Sequence, residues 1–165
     1  MKVISVSVGK PQMIQTDNEN FLSTAIFKKR VEGRVIVNQL NLEGDAQADL
    51  TVHGGWSKSV YVYPHEHYEF WKSELPEIVF ESGNFGENLT TEGLLETEVF
   101  IGDKIRIGTA EFAVTEPRMP CYKLGVRFGR SDIIRRFLQS RRSGFYLTAG
   151  ATSERNQGRH QQGGR

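Results

Sequence analysis

VFIGDKIRIGTAEFAVTEPRMPCYKLG, residues Val99 to Gly125, carries the pattern on which the fold turns. Val99–Ile101, Lys104–Ile107 and Glu111–Thr115 are short runs rich in β-branched and aromatic residues. The pairs Gly102-Asp103 and Gly108-Thr109 between them read as turns, so the stretch predicts a three-strand meander. It runs into Pro117 and Pro120, each of which fixes its own φ and pushes the preceding residue towards extended geometry. The approach to Cys121 is therefore neither helix nor central strand. Cys121 is the only cysteine of the chain. Arg118 and Lys123 lie close to it in sequence, and neighbouring cations favour the thiolate, the form needed by a nucleophile or a soft-metal ligand. Taken alone, the same residue also reads as a small buried hydrophobe.

A chain of 165 residues suits one domain with a substantial core. A formal net charge of +1 gives no reason to expect a nucleic-acid or membrane partner. A single cysteine excludes an intrachain disulfide and a cysteine-rich zinc module, and fits a reducing compartment. The opening MKVISVSVG does not read as a signal peptide and no apolar run is long enough to span a bilayer, so the expected location is the cytoplasm.

Outward from the meander, Val3–Val8 alternates apolar and small polar residues and reads as a half-buried strand, followed by a polar loop over Pro11–Asn20. Thr24–Lys29 and Arg34–Val37 read as strands that could pair across Gly33. Val60–Tyr63 is a strand stopped by Pro64, which suits the first turn of a helix whose buried stripe is Tyr68, Trp71 and Leu75. Ser131 is a good N-cap for a second helix with Ile133, Ile134, Phe137 and Leu138 on its apolar face. Phe145–Leu147 could begin one more strand. Many short strands with regularly spaced turns and two helices predict a mainly β domain over residues 1–150, closed as a barrel. Residues 151–165 have almost no apolar content and are expected to be a disordered polar tail.

Two polar loops invite a functional reading. Residues 41–58, NLEGDAQADLTVHGGWSK, offer little apolar surface to justify their order, and GNFGENL (Gly83–Leu89) is a second glycine-rich loop. His65 and His67 lie about 200° apart on the expected helix and cannot share one ion, which argues against zinc there. Cys121, Arg118, Lys123, His53 and Lys58 remain, with glycines that would let backbone N–H groups approach an anionic ligand.

Four blocks, GDAQADLTVHGGWSKSVYVYPHEHYEFW (Gly44–Trp71), GNFGENLTTEGL (Gly83–Leu94), IGDKIRIG (Ile101–Gly108) and EPRMPCYKLGVRFG (Glu116–Gly129), stand in the order and spacing of the MOSC domain. The chain resembles that family, named for the C-terminal part of molybdenum-cofactor sulfurase, and within it the stand-alone bacterial, YiiM-like branch. The resemblance implies a mainly β, MOSC-type β-barrel with a few short helices that binds molybdenum cofactor (Mo-molybdopterin). It places the family's cysteine on Cys121 as thiolate ligand to the metal. It places cofactor contacts on His53, Gly54, Gly55, Lys58, Asn88, Arg118 and Lys123, with Asp103 structural.

The activity implied is reduction of N-hydroxylated compounds, such as N-hydroxylated base analogues, with electrons from a separate reductase and no nucleic-acid or membrane partner. Two other readings stay open: a sulfur carrier with a Cys121 persulfide, and a cofactor-binding module without turnover. Relatives of the branch continue past SGFYL with further strand, whereas this chain turns to polar sequence. Either the last strand is supplied otherwise or the barrel has an open edge, which would invite pairing into a homo-oligomer; a truncation or frameshift near Thr148 would give the same sequence pattern.

Overall fold

Residues 1–16, 19–48 and 55–150 are described in the computed structural model. Along them run β1 (Lys2–Val8), β2 (Gln12–Gln15), β3 (Phe21–Thr24), β4 (Lys29–Val31) and β5 (Val60–Pro64), then helix α1 (Glu66–Glu74) and β6 (Leu89–Glu92). There follow β7 (Lys104–Ile107), β8 (Ala110–Pro117), α2 (Tyr122–Phe128), α3 (Ile133–Ser140) and β9 (Phe145–Ala149). A 3-10 turn at Trp56–Lys58 precedes β5. Seven strands form one sheet in the order β4-β1-β6-β5-β9-β8-β7, while β2 and β3 make a separate hairpin. Among the described residues no helix is long and apolar enough to cross a membrane.

β5 is the spine, with all five of its residues buried. It pairs in parallel with β6, Val62 opposite Leu89, and antiparallel with β9, Val62 opposite Phe145. A parallel pair needs a crossover, and α1 supplies it. Alternation along β5 sends Val60 and Val62 to one face and Tyr61 and Tyr63 to the other, and each face has its own core. On the first face Val3 and Val6 of β1 line one groove with Ile107 and Phe112 of β7 and β8. In a flat sheet β1 and β7 would lie about 24 Å apart, so the sheet must curl, and it forms a mainly β half-barrel around this aliphatic interior. On the outer face the helices seal an aromatic layer. The Phe85 ring stacks on Tyr63 at 4.5 Å, and Trp71 donates its indole N–H to the Tyr63 hydroxyl at 2.7 Å.

The expected stripe Tyr68, Trp71 and Leu75 is buried as read. Several local expectations are corrected. Pro11–Asn20 is not all loop, because Gln12–Gln15 pairs with Phe21–Thr24. Arg34–Val37 forms no strand beyond an isolated bridge from Val37 to Leu42. Val99–Ile101 is also no strand: Phe100 and Ile101 are exposed, and the Phe100 N–H donates to the Asp103 carboxylate at 2.9 Å, closing a turn. A third helix, α2, stands where two in all were expected. In β1 the buried side chains are Ser5 and Ser7 rather than the valines, because the Gly83 loop packs so closely that a Cβ on Gly83 would lie 3.2 Å from Ser7 Oγ.

The strand expected from Phe145 is present as β9. β9 is interior, between β5 and β8, and the sheet edges are the three-residue β4 and four-residue β7. Both edges carry basic side chains, Lys29 and Arg30 on one, Lys104 and Arg106 on the other, a device that discourages edge pairing. The expected tail, 151–165, lies outside the described residues.

Candidate functional site

Cys121 sits at the start of α2 in extended geometry (φ −126°, ψ 174°), at the end of the proline-stiffened run that leaves β8. Its thiol is half-buried. It lines a cleft of about 120 Å³ together with Lys58, Asn88, Arg118 and Lys123, so five of the eight residues named from sequence converge there. Gly55 is held beside it through Gln47, a lining residue whose amide accepts from the Gly55 N–H at 2.8 Å and donates to the Lys58 carbonyl at 3.1 Å. His53 and Gly54 lie outside the described residues.

The Trp56–Lys58 turn is tied to β8 at two points. Ser57 donates to Glu116 at 2.8 Å, and Thr115 donates to the Ser57 carbonyl at 2.5 Å. These bonds set Lys58 against the strand that delivers Arg118 and Cys121. Gly55 has φ 97°, a conformation that favours glycine, and a Cβ there would meet nothing within 4 Å among the described residues.

Arg118 is buried, with its guanidinium 4.5 Å over the Tyr61 ring. One terminal N–H donates to the Phe85 carbonyl, while its Nε has no partner among the described residues. Burial opposes its charge, but the Tyr61 and Tyr146 hydroxyls and the Cys121 sulfur outweigh that, and its pKa is raised.

Two residues that sequence reading passed over complete the cleft. Lys28 Nζ lies 2.5 Å from Asp45 Oδ1, with side chains 8% and 4% exposed. Asp45 also accepts from Gly9 N–H at 2.7 Å and from the Asn88 amide at 2.9 Å. Burial lowers the Lys28 pKa, with Asp45 opposing. Lys28 carried no signal of its own, since a lysine at the end of an apolar run reads as a wet face. Asp45 was visible only as part of the polar loop.

Asn88 turns inward. Its amide donates to Ser7 and Asp45 and accepts from the Tyr61 N–H at 3.0 Å, so its hydrogen-bonding is largely committed to the scaffold. The GNFGENL block has a similar explanation. Glu87 is fully buried and accepts from Tyr68, from the Gly83 N–H at 2.7 Å, from the Phe85 N–H at 3.1 Å and from Thr90 at 2.9 Å. The loop wraps its own carboxyl, and that in turn places the Phe85 carbonyl against Arg118.

His65 caps α1 and His67 lies within it, its ring 2.7 Å from Glu96, so these histidines do not converge on an ion. No metal-ligating cluster of three His, Cys, Asp or Glu occurs among the described residues. One thiol beside four cationic side chains, Lys28, Lys58, Arg118 and Lys123, with a buried and unpartnered Arg118 Nε, is instead the donor set for an anion-bearing group with a soft metal. The residues present fit a molybdenum cofactor, which carries both.

A family model described as the MOSC domain matches residues 49–163. The chain is 42% identical over 145 residues to "Uncharacterized protein YflK" of Bacillus subtilis, covering 88% of this chain and 65% of that one. It is 47% identical over 112 residues to "Protein YiiM" of Escherichia coli, covering 67% of this chain and 50% of that one. It is 33% identical over 129 residues to a protein of Gibberella moniliformis named "Reductase", covering 76% of this chain and 23% of that one. The chain thus spans at most about two thirds of the length of these curated relatives. The crystal structure of YiiM from Geobacillus stearothermophilus superposes with a TM-score of 0.70 at 32% identity, covering 90% of this chain and 67% of that one.

Proposed function

This chain belongs to the MOSC domain family, and from that premise we propose that it is a molybdenum-cofactor protein that reduces N-hydroxylated compounds to amines. The observation that carries the reading is the joint lining of one cleft by Cys121 and the buried Arg118, whose Nε has no protein partner among the described residues. Similarity to a protein named "Reductase" supports the redox class.

Cys121 would hold the metal as a thiolate. Arg118, Lys28, Lys58 and Lys123 would balance the phosphate and oxo charges, with Asp45 keeping Lys28 in place. When bound, the cofactor supplies a centre that exchanges two electrons and an oxygen atom. The overall change consumes two electrons and two protons per N–OH group and releases the amine and water. The two electrons would come from a separate reductase protein or domain, because a single cysteine cannot supply the ligands of an iron–sulfur cluster and the proposal places no flavin on this chain.

The test is molybdenum content in wild type and Cys121→Ala, both produced in a host that makes the cofactor. Stoichiometric metal in the wild type, lost in the variant, is the expected result, followed by turnover of an N-hydroxylated substrate with a chemical reductant. A folded wild type without molybdenum would overturn the reading and leave Cys121 as a sulfur carrier or a core thiol. Metal without turnover would leave a binding module.

A further inference from the structure

The outward side of α3 carries charge that the fold does not use. Arg135, Arg136, Arg141 and Arg142 lie within eight residues, in a chain whose formal net charge is only +1. Arg136 is committed to Asp132 at 2.9 Å and to Glu74 at 3.2 Å. Arg135, Arg141 and Arg142 have no acidic partner among the described residues. Leu138 stands between them and is 48% exposed. Arg135 is its neighbour one helical turn back, and Arg141 folds over the helix end, its N–H donating to the Leu138 carbonyl at 3.3 Å.

Arg142 is fixed in advance. Its guanidinium lies 4.0 Å over the Phe70 ring and donates to the Ser140 carbonyl at 3.0 Å. Phe70, Arg142 and Arg135 line a groove of about 470 Å³ between α1 and α3. Arginines at a helix end also answer the carbonyl dipole, which accounts for Arg141 and Arg142. It does not account for Arg135, third residue of α3, where a cation is unfavourable. Nor does it account for an exposed leucine. An apolar side chain ringed by unpaired guanidinium groups has the make-up of a protein contact: the centre excludes water and the rim selects the partner's sign. Nucleic-acid binders commonly neutralise about six to ten phosphates, more than this short helix offers.

We propose that the outer face of α3, with the α1–α3 groove, is a docking surface for a second protein that presents carboxylates around an apolar side chain. The proposal stands apart from the reductase reading and needs neither metal nor turnover. The partner would dock one helix, about 10 Å, from the cleft wall, because Phe137 on the inner side of α3 lies 5.9 Å from the Arg118 guanidinium.

The test uses the full chain and a short labelled peptide of glutamate and aspartate with one central leucine, titrated by fluorescence anisotropy. Saturable binding is expected, weakened about tenfold in the double variant Arg135→Gln, Arg141→Asn and about fivefold in Leu138→Ala. The Leu138→Ala change should have no effect on a peptide whose leucine is replaced by alanine, a coupling that bulk charge attraction does not produce. Asparagine suits the φ of 56° at Arg141, and all three positions are exposed, so melting temperatures should stay near wild type. Hydrogen exchange locates the peptide, with slowed exchange expected over α1 and α3.

No binding, or binding indifferent to the arginine changes, overturns the proposal. So does slowed exchange confined to the residues around Cys121, which would put the acidic peptide in the cationic cleft. Arginine-dependent binding of a single-stranded RNA oligonucleotide, tighter than that of the peptide, overturns it in favour of nucleic acid. Absence of molybdenum or of turnover bears on the reductase reading alone.

Discussion

Removing the Glu87 carboxyl should unravel the wall behind the cleft. Four donors converge on it, two of them backbone N–H groups, Gly83 at 2.7 Å and Phe85 at 3.1 Å, in a fully buried setting. In Glu87→Ala the Tyr68 and Thr90 hydroxyls can rotate to other partners, but the two N–H groups cannot. Each stranded donor costs about 1–3 kcal/mol, so the pair costs about 4 kcal/mol. In Glu87→Gln the amide oxygen can take the place of Oε1, which serves Tyr68, Gly83 and Thr90, while the NH2 faces the Phe85 N–H. One bond is then lost, at about 2 kcal/mol. With a urea m-value of about 2 kcal/mol/M, the midpoints should fall by about 2 M for alanine and about 1 M for glutamine. Urea unfolding followed by tryptophan fluorescence reads this directly, since Trp71 packs 5.6 Å from the Phe85 ring. An alanine midpoint within about 0.3 M of wild type, some 0.6 kcal/mol, would refute the claim that this carboxyl organises the loop. A glutamine variant as unstable as alanine would refute the count of acceptors as the cause.

Gly144→Ala should be costly for a geometric reason: at φ 64° a Cβ would lie 2.3 Å from the Val62 carbonyl oxygen. A penalty of about 3 kcal/mol lowers the melting temperature by about 6–12 °C in a chain of this size, and an unchanged melt would show that β9 can shift away from β5. Acid should weaken the fold through Glu96. Burial pushes the Glu96 carboxyl up, but bonds from His67 at 2.7 Å and from the Gly144 N–H at 3.1 Å more than offset it, and its pKa is lowered. A folded-state value below the unfolded one contributes stability that is present above about pH 4.3 and lost as pH falls through the folded value. Thermal stability should therefore decline towards pH 3 less steeply in Glu96→Gln than in wild type; identical acid limbs would dispose of this assignment.

Periodic elements were legible in sequence and close approaches were not. The stripe Tyr68, Trp71 and Leu75 announces α1 because each residue is buried at helical spacing; the prolines before Cys121 give the extended run read from them, but not the exclusion of a central strand, since Pro117 ends the interior strand β8 opposite Phe145 past a register shift. β6, LTTE, was hidden because its threonines are buried by its position between β1 and β5 rather than by their own hydrophobicity. α2 was hidden because it is seven residues long and contains Gly125, where a Cβ would come within 3.3 Å of the Arg130 carbonyl. At the site, cysteine and its near cations could be read from spacing along the chain. The Lys28–Asp45 pair could not, because those residues meet only when the segment after β3 folds against the loop at Gly44–Gln47. In the GNFGENL block Asn88 lines the cleft, while the Glu87 carboxyl holds the scaffold behind it.

The interior position of β9 bears on how the molecule is made. In the sheet β5 and β8 are joined through it, and its partners Val60, Tyr61 and Val62 are translated long before Phe145–Leu147. Until β9 leaves the ribosome, the growing chain holds two separate sheet fragments, β4-β1-β6-β5 and β8-β7, each presenting an unpaired edge next to apolar side chains. Closing them is a late, long-range event, slow in entropy terms and exposed to mispairing with other nascent chains. Soluble yield should therefore depend on chaperone supply during synthesis more than on the stability of the finished domain.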